Sequence, residues 1–249
     1  GGEVVDFTFN GTSAFTYGVN VTDVRIFSPE VRDEYEYIPG KDGSYIFNAA
    51  YGDRRVEVDC YIARSTVEET LAKEREITGW LLRPQQRAQL RFTTDQTVYF
   101  MAKVDEQIEF NHQLNVSFFT ISFNCEPFIY SVQEYSKTVQ VASGSTMYVQ
   151  VEGTAYTYPV IEISPVSSNI AGGQLQVRGI KLNINIPINA GEKLILDTSK
   201  LTATKGGANV LANISGTFMP LWAGINSVYW LADNGAAANV TFKYHARWL

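Results

Sequence analysis

The first half of the chain alternates apolar and polar residues with a period of two, which is the pattern of half-buried β-strands. In residues 55–62 the apolar members of the alternation share one face: Val56, Val58, Cys60 and Ile62. Residues 5–9 show the same alternation, with Phe7 and Phe9 on the apolar face. The pattern therefore predicts an antiparallel sheet with one face on a core and the other exposed.

A hairpin is predicted over residues 87–104. Two alternating segments, 87–93 and 97–104, flank the turn-forming residues Thr93-Thr94-Asp95-Gln96. Residues 114–123 follow and are apolar on both faces beyond Phe118. This segment is either a central strand that is covered on both sides or a strand whose phase shifts at a bulge.

One helix is predicted, over residues 66–82. Ser65-Thr66-Val67-Glu68 has the spacing of a capping box, with the Ser hydroxyl and the Glu carboxylate on free backbone N–H groups. Glu69 and Lys73 have the spacing of a favourable helical ion pair, and Pro84 ends the helix. The predicted apolar stripe consists of Val67, Leu71, Ile77, Trp80 and Leu81.

The second half changes character near Tyr130–Lys137. Charged residues become rare, and short apolar segments recur between Gly-rich turns, as in a β-sandwich or jelly roll. The predicted strands are 146–152, 159–164, 174–179, 180–187, 193–197, 208–211, 225–231 and 238–245. We therefore predict a mainly β protein of two domains: residues 1–137, β-sandwich-like with the helix and the hairpin, and residues 138–249, a β-sandwich.

The segment YIPGKDGSYIF, residues 37–47, contains two glycines beside a lysine and an aspartate, which raises the question of a phosphate or calcium loop. The order of residues does not fit a Walker loop, and Asp42 is the segment's lone carboxylate. Pro39 and Asp42-Gly43 fit a tight turn instead. The sequence predicts a hairpin that joins residues 34–38 to residues 44–50.

Charge is unevenly distributed. Residues 1–137 hold 13 Lys and Arg against 21 Asp and Glu, whereas residues 138–249 hold 7 against 5. Because affinity for nucleic acid comes from neutralising phosphates, the acidic half argues against tight DNA binding. Aromatic residues make up 13% of the chain, which favours strands. No apolar segment reaches the length of a membrane span, and no leader is recognised.

Few residues suggest catalysis or metal binding. The two histidines, His112 and His245, are too few for a His₃ zinc site, and Cys60 and Cys125 are expected to be buried free thiols. Carboxylates could in principle do glycosidase work, but a structural role is the better interpretation: Glu57, Asp59, Asp105, Glu106 and Glu109. We assign no catalytic, cofactor-binding or metal-ligating residue and expect no cofactor; ligand-binding residues are unknown.

Aromatic residues of the second half offer an alternative function. Five of them could form a sugar-stacking platform, as in sandwich lectins: Trp222, Trp230, Trp248, Tyr156 and Tyr158. Trp230 alternates with Val228 and is expected in the core, whereas Trp222 lies in a Pro-Leu-Trp-Ala-Gly turn. The alternative is thus a carbohydrate-binding sandwich that acts in host-surface recognition.

Several segments, in this order, resemble the siphophage distal tail proteins, including prophage tail components. Pro39–Tyr45 is similar to the family's PGRDG-type turn, with Lys41 in place of Arg, and the predicted strand, helix and hairpin follow in the family's order. The segments of the second half that carry the resemblance are Gly191–Asp197, Gly216–Leu221 with Gly224-Ile225-Asn226, and Tyr244–Leu249. The resemblance covers nearly the whole chain.

The resemblance implies a structural, non-enzymatic hub protein. Its first domains would join into a homo-hexameric ring, and its second domain would be a galectin-like sandwich. The ring would connect the tail tube protein to tail-associated lysin, tail fibre or receptor-binding proteins at the tail tip. DNA would pass through the lumen without specific binding, and no membrane would be involved. The expected location is the virion, after assembly in the bacterial cytoplasm.

Overall fold

The computed structural model describes residues 5–249, with the backbone alone for Asn48 and Ala49. Positions 1–4 of the predicted 1–137 domain lie outside the described residues. The chain forms two compact units, one that extends to Val132 and one that covers Gln133–Trp248.

The first unit is an antiparallel β structure with one α-helix. Its strands and helix are β1 (Phe7–Phe9), β2 (Thr12–Ser13), β3 (Asn20–Ile26), β4 (Val31–Glu36), β5 (Tyr45–Tyr51), β6 (Arg54–Ala63), α1 (Val67–Leu82), β7 (Ala88–Phe92), β8 (Asp95–Val104), β9 (Asn111–Gln113) and the first part of β10 (Val116–Val141). A 3-10 turn covers Ala14–Tyr17. The main sheet has the order β3-β6-β10-β8-β7-β1-β2, with β9 beside β10, whereas β4 and β5 form a separate two-stranded sheet.

The core of the first unit lies between the main sheet and α1. Trp80 of α1 packs on Phe7 and Phe9, with ring centroids 5.8 and 6.3 Å apart, and its Nε1 donates to the Phe9 carbonyl. Phe123 of β10 packs on the same two phenylalanines. The alternation predicted for residues 55–62 is confirmed, because all four of its apolar residues are buried in β6.

Helix α1 begins one residue later than the capping box predicted. Thr66 is the N-cap: its hydroxyl accepts a hydrogen bond from the Glu69 N–H at 3.2 Å, and the Glu69 carboxylate accepts one from the Ser65 N–H. The box predicted at Ser65–Glu68 is therefore wrong by one position. Since Glu69 is used at the cap, Lys73 pairs with Glu76, and the predicted Glu69–Lys73 pair is not formed.

The buried face of α1 is only partly the predicted stripe. Ile77, Trp80 and Leu81 are buried, but Val67 and Leu71 are 49% and 38% exposed. In the first turns the buried residues are Thr70 and Glu74. The Thr70 hydroxyl lies 2.9 Å from the Asn115 carbonyl, so this end of the helix packs on polar backbone at the start of β10. The helix ends at Leu82, before Pro84, as predicted.

Strand β10 is central in the main sheet, and it contains a bulge. It pairs with β6 on one side and β8 on the other, and its register shifts between Cys125 and Ile129. Pro127, which lacks an N–H, lies in this bulge. Phe118 on the outer face of β10 is 41% exposed. At this position the chain therefore does not cover both faces of the strand, which was one of the two predicted alternatives. The predicted 87–104 hairpin is confirmed as β7 and β8.

The second unit is a sandwich of two antiparallel sheets. Besides the end of β10, its strands are β11 (Ser145–Val151), β12 (Val160–Pro165), β13 (Gly173–Val177), β14 (Ile180–Ile184), β15 (Leu194–Asp197), β16 (Thr202–Lys205), β17 (Ala208–Asn209), β18 (Ile214–Gly216), β19 (Gly224–Ala232) and β20 (Ala238–Trp248). One sheet contains β17-β16-β15-β12-β20 and the end of β10, and the other has the order β11-β19-β13-β14-β18. The sequence missed β16 and β18, and the predicted 208–211 strand is shorter and leads into a 3-10 turn, Leu211–Asn213.

The two sheets enclose a core around Trp230, which is fully buried. Its Nε1 donates to the Ala236 carbonyl at 2.9 Å, so the one polar atom of the ring is satisfied. The predicted fold class is confirmed: the protein is mainly β and has two domains, the first with one helix and a hairpin and the second a β-sandwich.

No helix among the described residues is long and apolar enough to cross a membrane.

Candidate assembly surfaces

The hairpin β4–β5 exposes large apolar side chains on both of its faces. Tyr37 is 75% exposed, Phe47 66%, Ile46 58% and Tyr35 55%. The two strands form hydrogen-bonded pairs with each other from Val31↔Tyr51 to Glu36↔Tyr45. An isolated two-stranded hairpin is marginally stable in water, and contiguous exposed apolar residues mark interaction surfaces. The arrangement suits a segment that packs on another protein surface.

The tip of this hairpin is the PGKDG segment, and the predicted turn is confirmed. Gly40 and Gly43 have φ angles of 82° and 83°, a left-handed conformation that favours glycine. The Lys41 N–H donates to the Ile38 carbonyl at 3.2 Å, and the Lys41 ammonium lies 3.9 Å from the centre of the Tyr45 ring. These contacts are within the hairpin itself, so the glycines and the lysine serve turn geometry.

A cluster of charged residues occupies the outer face of β3, β6 and β10. The Thr120 hydroxyl donates to Asp59 at 2.6 Å, and the Arg25 guanidinium lies 2.7 Å from Asp59 and 3.0 Å from Glu57. The hydrogen bonds from Thr120 and Arg25 hold the pKa of Asp59 below its usual value. Because a glycosidase acid needs a raised pKa, Asp59 does not suit that role. Asp59 and Glu57 both form ion pairs with Arg25, which gives them a structural role.

The remaining acidic candidates lie near this cluster. Glu106 forms an ion pair with Arg55, which also lies 3.3 Å from Glu57. Glu106 and Glu109 line a shallow depression together with Glu57 and Asp59, while Asp105 borders a neighbouring one. Among the described residues, no group of three or more His, Cys, Asp or Glu has the geometry to hold a metal ion.

The histidines and cysteines lie on four different strands. His112 Nδ1 lies 3.3 Å from the Glu74 carboxylate, and His245 lies in β20 of the second unit. Cys60 and Cys125 are buried free thiols, as predicted. Burial raises the pKa of the Cys60 thiol, and that of Cys125 to about 12, which leaves both in the unreactive thiol form at neutral pH.

The predicted aromatic platform of the second unit is only partly assembled. Tyr156 and Tyr158 are each 40% exposed and contact edge to face, and the backbone of Thr157 between them pairs with Leu221, next to Trp222. The Arg178 guanidinium lies 5.1 Å from the centre of the Trp222 ring. Trp230 is buried and Trp248 packs against the core, so these two do not contribute.

Sequence reasoning missed one polar surface, a row of amide side chains on the outer face of the β11-β19-β13-β14-β18 sheet. Gln174, Gln176 and Asn183 form it. The alternation of Gln174 and Gln176 around the apolar Leu175 was the available signal. It identifies an outward face, but only strand pairing places Asn183 beside it.

Two family models match the chain. One, described as a phage tail protein RIFT-related domain, matches residues 15–125, and the other, described as a siphovirus-type tail component C-terminal domain, matches residues 152–248. The matched ranges follow each other in the chain and together cover most of it. No curated protein matches this chain.

Among solved structures, the chain is similar to the SPP1 Dit protein, described as a paradigm of the hub adsorption apparatus in phages that infect Gram-positive bacteria. The identity is 18%, the likeness covers 99% of this chain and 100% of that one, and the TM-score is 0.80, which shows a common fold. Chains of the phage p2 baseplate in its activated conformation, with Ca and with Sr, are 9% and 10% identical over 96% of this chain and 98% of theirs, with TM-scores of 0.43 and 0.46.

The family models and the fold agree with the resemblance of the sequence segments. The second unit is the sandwich expected of a C-terminal tail component, and the first is the β domain with one helix. The chain belongs to the siphophage distal tail protein family, and it is a structural component of the phage tail hub.

Proposed function

We propose that six copies of this chain form a ring at the distal end of the phage tail tube. The ring joins the tube protein to the tail-tip apparatus, which includes tail-associated lysin, tail fibre or receptor-binding proteins, and DNA passes through its lumen. The number six and the neighbouring proteins come from the resemblance to the family. The protein acts by assembly and carries out no reaction, and it is incorporated into the virion after synthesis in the bacterial cytoplasm.

The observation that carries the proposal is the exposed hairpin β4–β5. Tyr37, Ile46 and Phe47 are more than half exposed, and apolar side chains of this size gain about 1.5–3 kcal/mol each on full burial. A ring is built from heterologous contacts, in which one surface packs on a different surface of the next copy. The hairpin supplies one side of such a contact, and a neighbouring copy supplies the other.

The charge of the first domain supports passage of DNA without binding. Residues 1–137 carry 21 acidic against 13 basic side chains, so neutralisation of phosphates is unfavourable on most of this surface. We expect the full chain to leave the electrophoretic mobility of duplex DNA unchanged at physiological salt. Retardation of the DNA under these conditions would count against the proposed lumen.

Assembly is tested on phage particles and on the purified chain. Cryo-electron microscopy of the tail tip is expected to show six copies of this chain around the tail axis, and a different copy number or a location off the tip would overturn the proposal. Light scattering on the concentrated purified chain measures whether it associates without the phage particle. The measured mass is compared with the protomer mass of 27.8 kDa.

The hairpin's role is tested with the double variant Ile46→Ser/Phe47→Ser in phage assembly. We expect particles without a completed tail tip and a variant chain that stays monomeric. The matched control is Leu201→Ser, an apolar residue of the second unit that is 57% exposed and is expected to assemble normally. Normal tail tips with the double variant would show that the hairpin is not the interface.

A further inference from the structure

The outer face of the β11-β19-β13-β14-β18 sheet has an unusual composition for a protein surface. Leu175 and Val177 of β13 point into the core, which leaves Gln174 and Gln176 on the outside. The structure describes every residue of these five strands. Among their outward-facing positions, Lys181 of β14 is the one charged residue. The face is therefore nearly uncharged, and it combines polar side chains with the exposed apolar residues Ile225 and Leu231 of β19.

The amide side chains on this face are hydrogen-bonded in series. Gln176 Nε2 donates to Gln174 Oε1 at 2.5 Å, Gln174 Nε2 donates to Asn183 Oδ1 at 2.7 Å, and Asn183 Nδ2 lies 3.5 Å from Ser215 Oγ. Each amide has two N–H donors and an oxygen that accepts twice, so the series uses about half of this capacity. It orients the three half-buried amides and leaves the other half of their donors and acceptors outside the series.

Two tyrosines lie beside this series. Tyr229 of β19 is the cross-strand partner of Gln176, and Tyr148 of β11 pairs with Ser227, two positions along β19 from Tyr229. Tyr148 is 67% exposed. Same-face neighbours along a strand are about 6.8 Å apart and neighbouring strands about 4.8 Å apart. The aromatic and amide groups thus lie within the length of two or three linked pyranose rings.

The charge and the hydrogen-bonding groups of this face indicate which class of ligand it can bind. Nucleic acids and anionic lipids are held by several cations, and this face has one. A sugar hydroxyl both donates and accepts a hydrogen bond, as an amide group does, and the C–H face of a pyranose packs on an aromatic ring. Fixed amides beside one exposed and one half-buried tyrosine match an uncharged polyol.

We propose that this face binds a neutral polysaccharide strand built of hexopyranose units. Tyr148 and Tyr229 contact the apolar faces of the sugar rings, and Gln174, Gln176 and Asn183 hydrogen-bond to their hydroxyl groups. The residues of the site all belong to the second unit, and binding does not require a ring. It gives the hub an affinity for a glycan surface in addition to its role in assembly.

The experiment is a binding screen with the full chain on an array of neutral glucose, galactose, mannose and N-acetylhexosamine oligosaccharides, with polygalacturonate as an anionic comparison. Hits are titrated by calorimetry. We expect binding to at least one neutral oligosaccharide. The double variant Gln174→Ala/Gln176→Ala is expected to weaken it about tenfold or more, because several hydrogen bonds are lost together.

A second variant and a control separate binding from folding. Tyr148→Ala, at a largely exposed position, is expected to keep the unfolding temperature and to weaken binding to a similar degree. Gln140→Ala changes an exposed glutamine on β10, outside this face, and is expected to bind as the unaltered chain does. Overturning results are no binding to any neutral member, binding to polygalacturonate alone, or binding that neither variant weakens. A chain that fails to form rings but binds the oligosaccharide leaves this proposal standing.

Discussion

Arg54 is a cation on the inward face of β6, where its neighbours are apolar, and only 4% of its surface is exposed. Its Nε and Nη2 donate to the Pro127 carbonyl at 3.2 and 2.9 Å. Burial lowers the pKa of Arg54. An arginine guanidinium is always charged in proteins, so the side chain is a buried cation. A bulge interrupts the ladder of hydrogen bonds between strands. Arg54 supplies the hydrogen bonds that the Pro127 carbonyl accepts within the β10 bulge.

We predict that Arg54→Ala lowers the free energy of unfolding by about 2–3 kcal/mol, since a charged hydrogen-bond donor is lost and a buried carbonyl is left unpaired. Urea denaturation monitored by fluorescence measures the change. The control is Arg55→Ala, a neighbour with a half-exposed side chain, for which about 0.5 kcal/mol or less is expected. Equal effects of the two substitutions would show that the bulge contact contributes nothing.

The N-cap of α1 gives a second prediction at the residue scale. Thr66→Ala is expected to lower the free energy of unfolding by about 1 kcal/mol, because the Glu69 N–H loses its acceptor. Ser65→Ala is expected to have little effect, since Ser65 takes part through its backbone N–H. Circular dichroism during urea denaturation compares the two, and a larger effect at Ser65 would restore the capping box that the sequence predicted.

At the scale of elements, the hairpin β4–β5 is expected to matter for assembly and not for folding of the first unit. Its strands pair with each other, and its large side chains are exposed, so the first-unit core does not depend on them. That core is formed by α1 and the main sheet around Phe7, Phe9 and Trp80. An exposed apolar element that contributes little to its own domain is typical of an interface segment.

For this reason the Ile46→Ser/Phe47→Ser variant is predicted to keep the unfolding temperature of the unaltered monomer to within about 2 °C, since surface substitutions change stability by about 0.5 kcal/mol or less. Differential scanning calorimetry on monomeric fractions checks this. A marked loss of stability would mean that the hairpin packs on its own chain.

At the scale of the whole molecule, the stability of the fold at low pH depends on carboxylates that form ion pairs in the folded state. Glu162 accepts hydrogen bonds from Lys243 and Lys193, and these contacts lower its pKa. Burial alone would raise the pKa of Asp197, but hydrogen bonds from the backbone and the ammonium of Lys200 and from the Ser199 N–H lower it overall. A carboxyl with a lowered pKa in the folded state stabilises the fold above its unfolded pKa, and this contribution is lost as the pH falls.

We therefore predict that the free energy of unfolding is nearly constant from pH 7 to about pH 5 and declines below about pH 4, the ordinary range of Asp and Glu. Glu162→Gln is expected to be less stable at pH 7 and to show a shallower decline in acid. Asp42→Asn, in the exposed hairpin loop, serves as the control and is expected to follow the unaltered protein. A Glu162→Gln curve parallel to that of the unaltered chain would contradict the assignment.

The sequence by itself determined the local structure of this protein. Alternation fixed the inward face of β6, the glycines of the PGKDG segment marked a turn, and Pro84 ended the helix, because each depends on neighbours within a few positions. The same patterns, with ordered family segments, predicted a mainly β chain of two domains and a tail hub protein. Short strands such as β16 and β18 were missed because they have too few residues for a period to be visible.

The tertiary structure decided what depends on distant parts of the chain. The first turns of α1 pack on a distant segment, since the Thr70 hydroxyl donates to the Asn115 carbonyl, 45 positions along the chain. The partner of Arg54 lies 73 positions along the chain, and Lys243 reaches Glu162 over 81. The amide series and the exposed hairpin also depend on the tertiary structure. The alternation along a strand shows which of its sides is polar. Only strand pairing shows which residues lie beside that strand and whether its apolar side is covered.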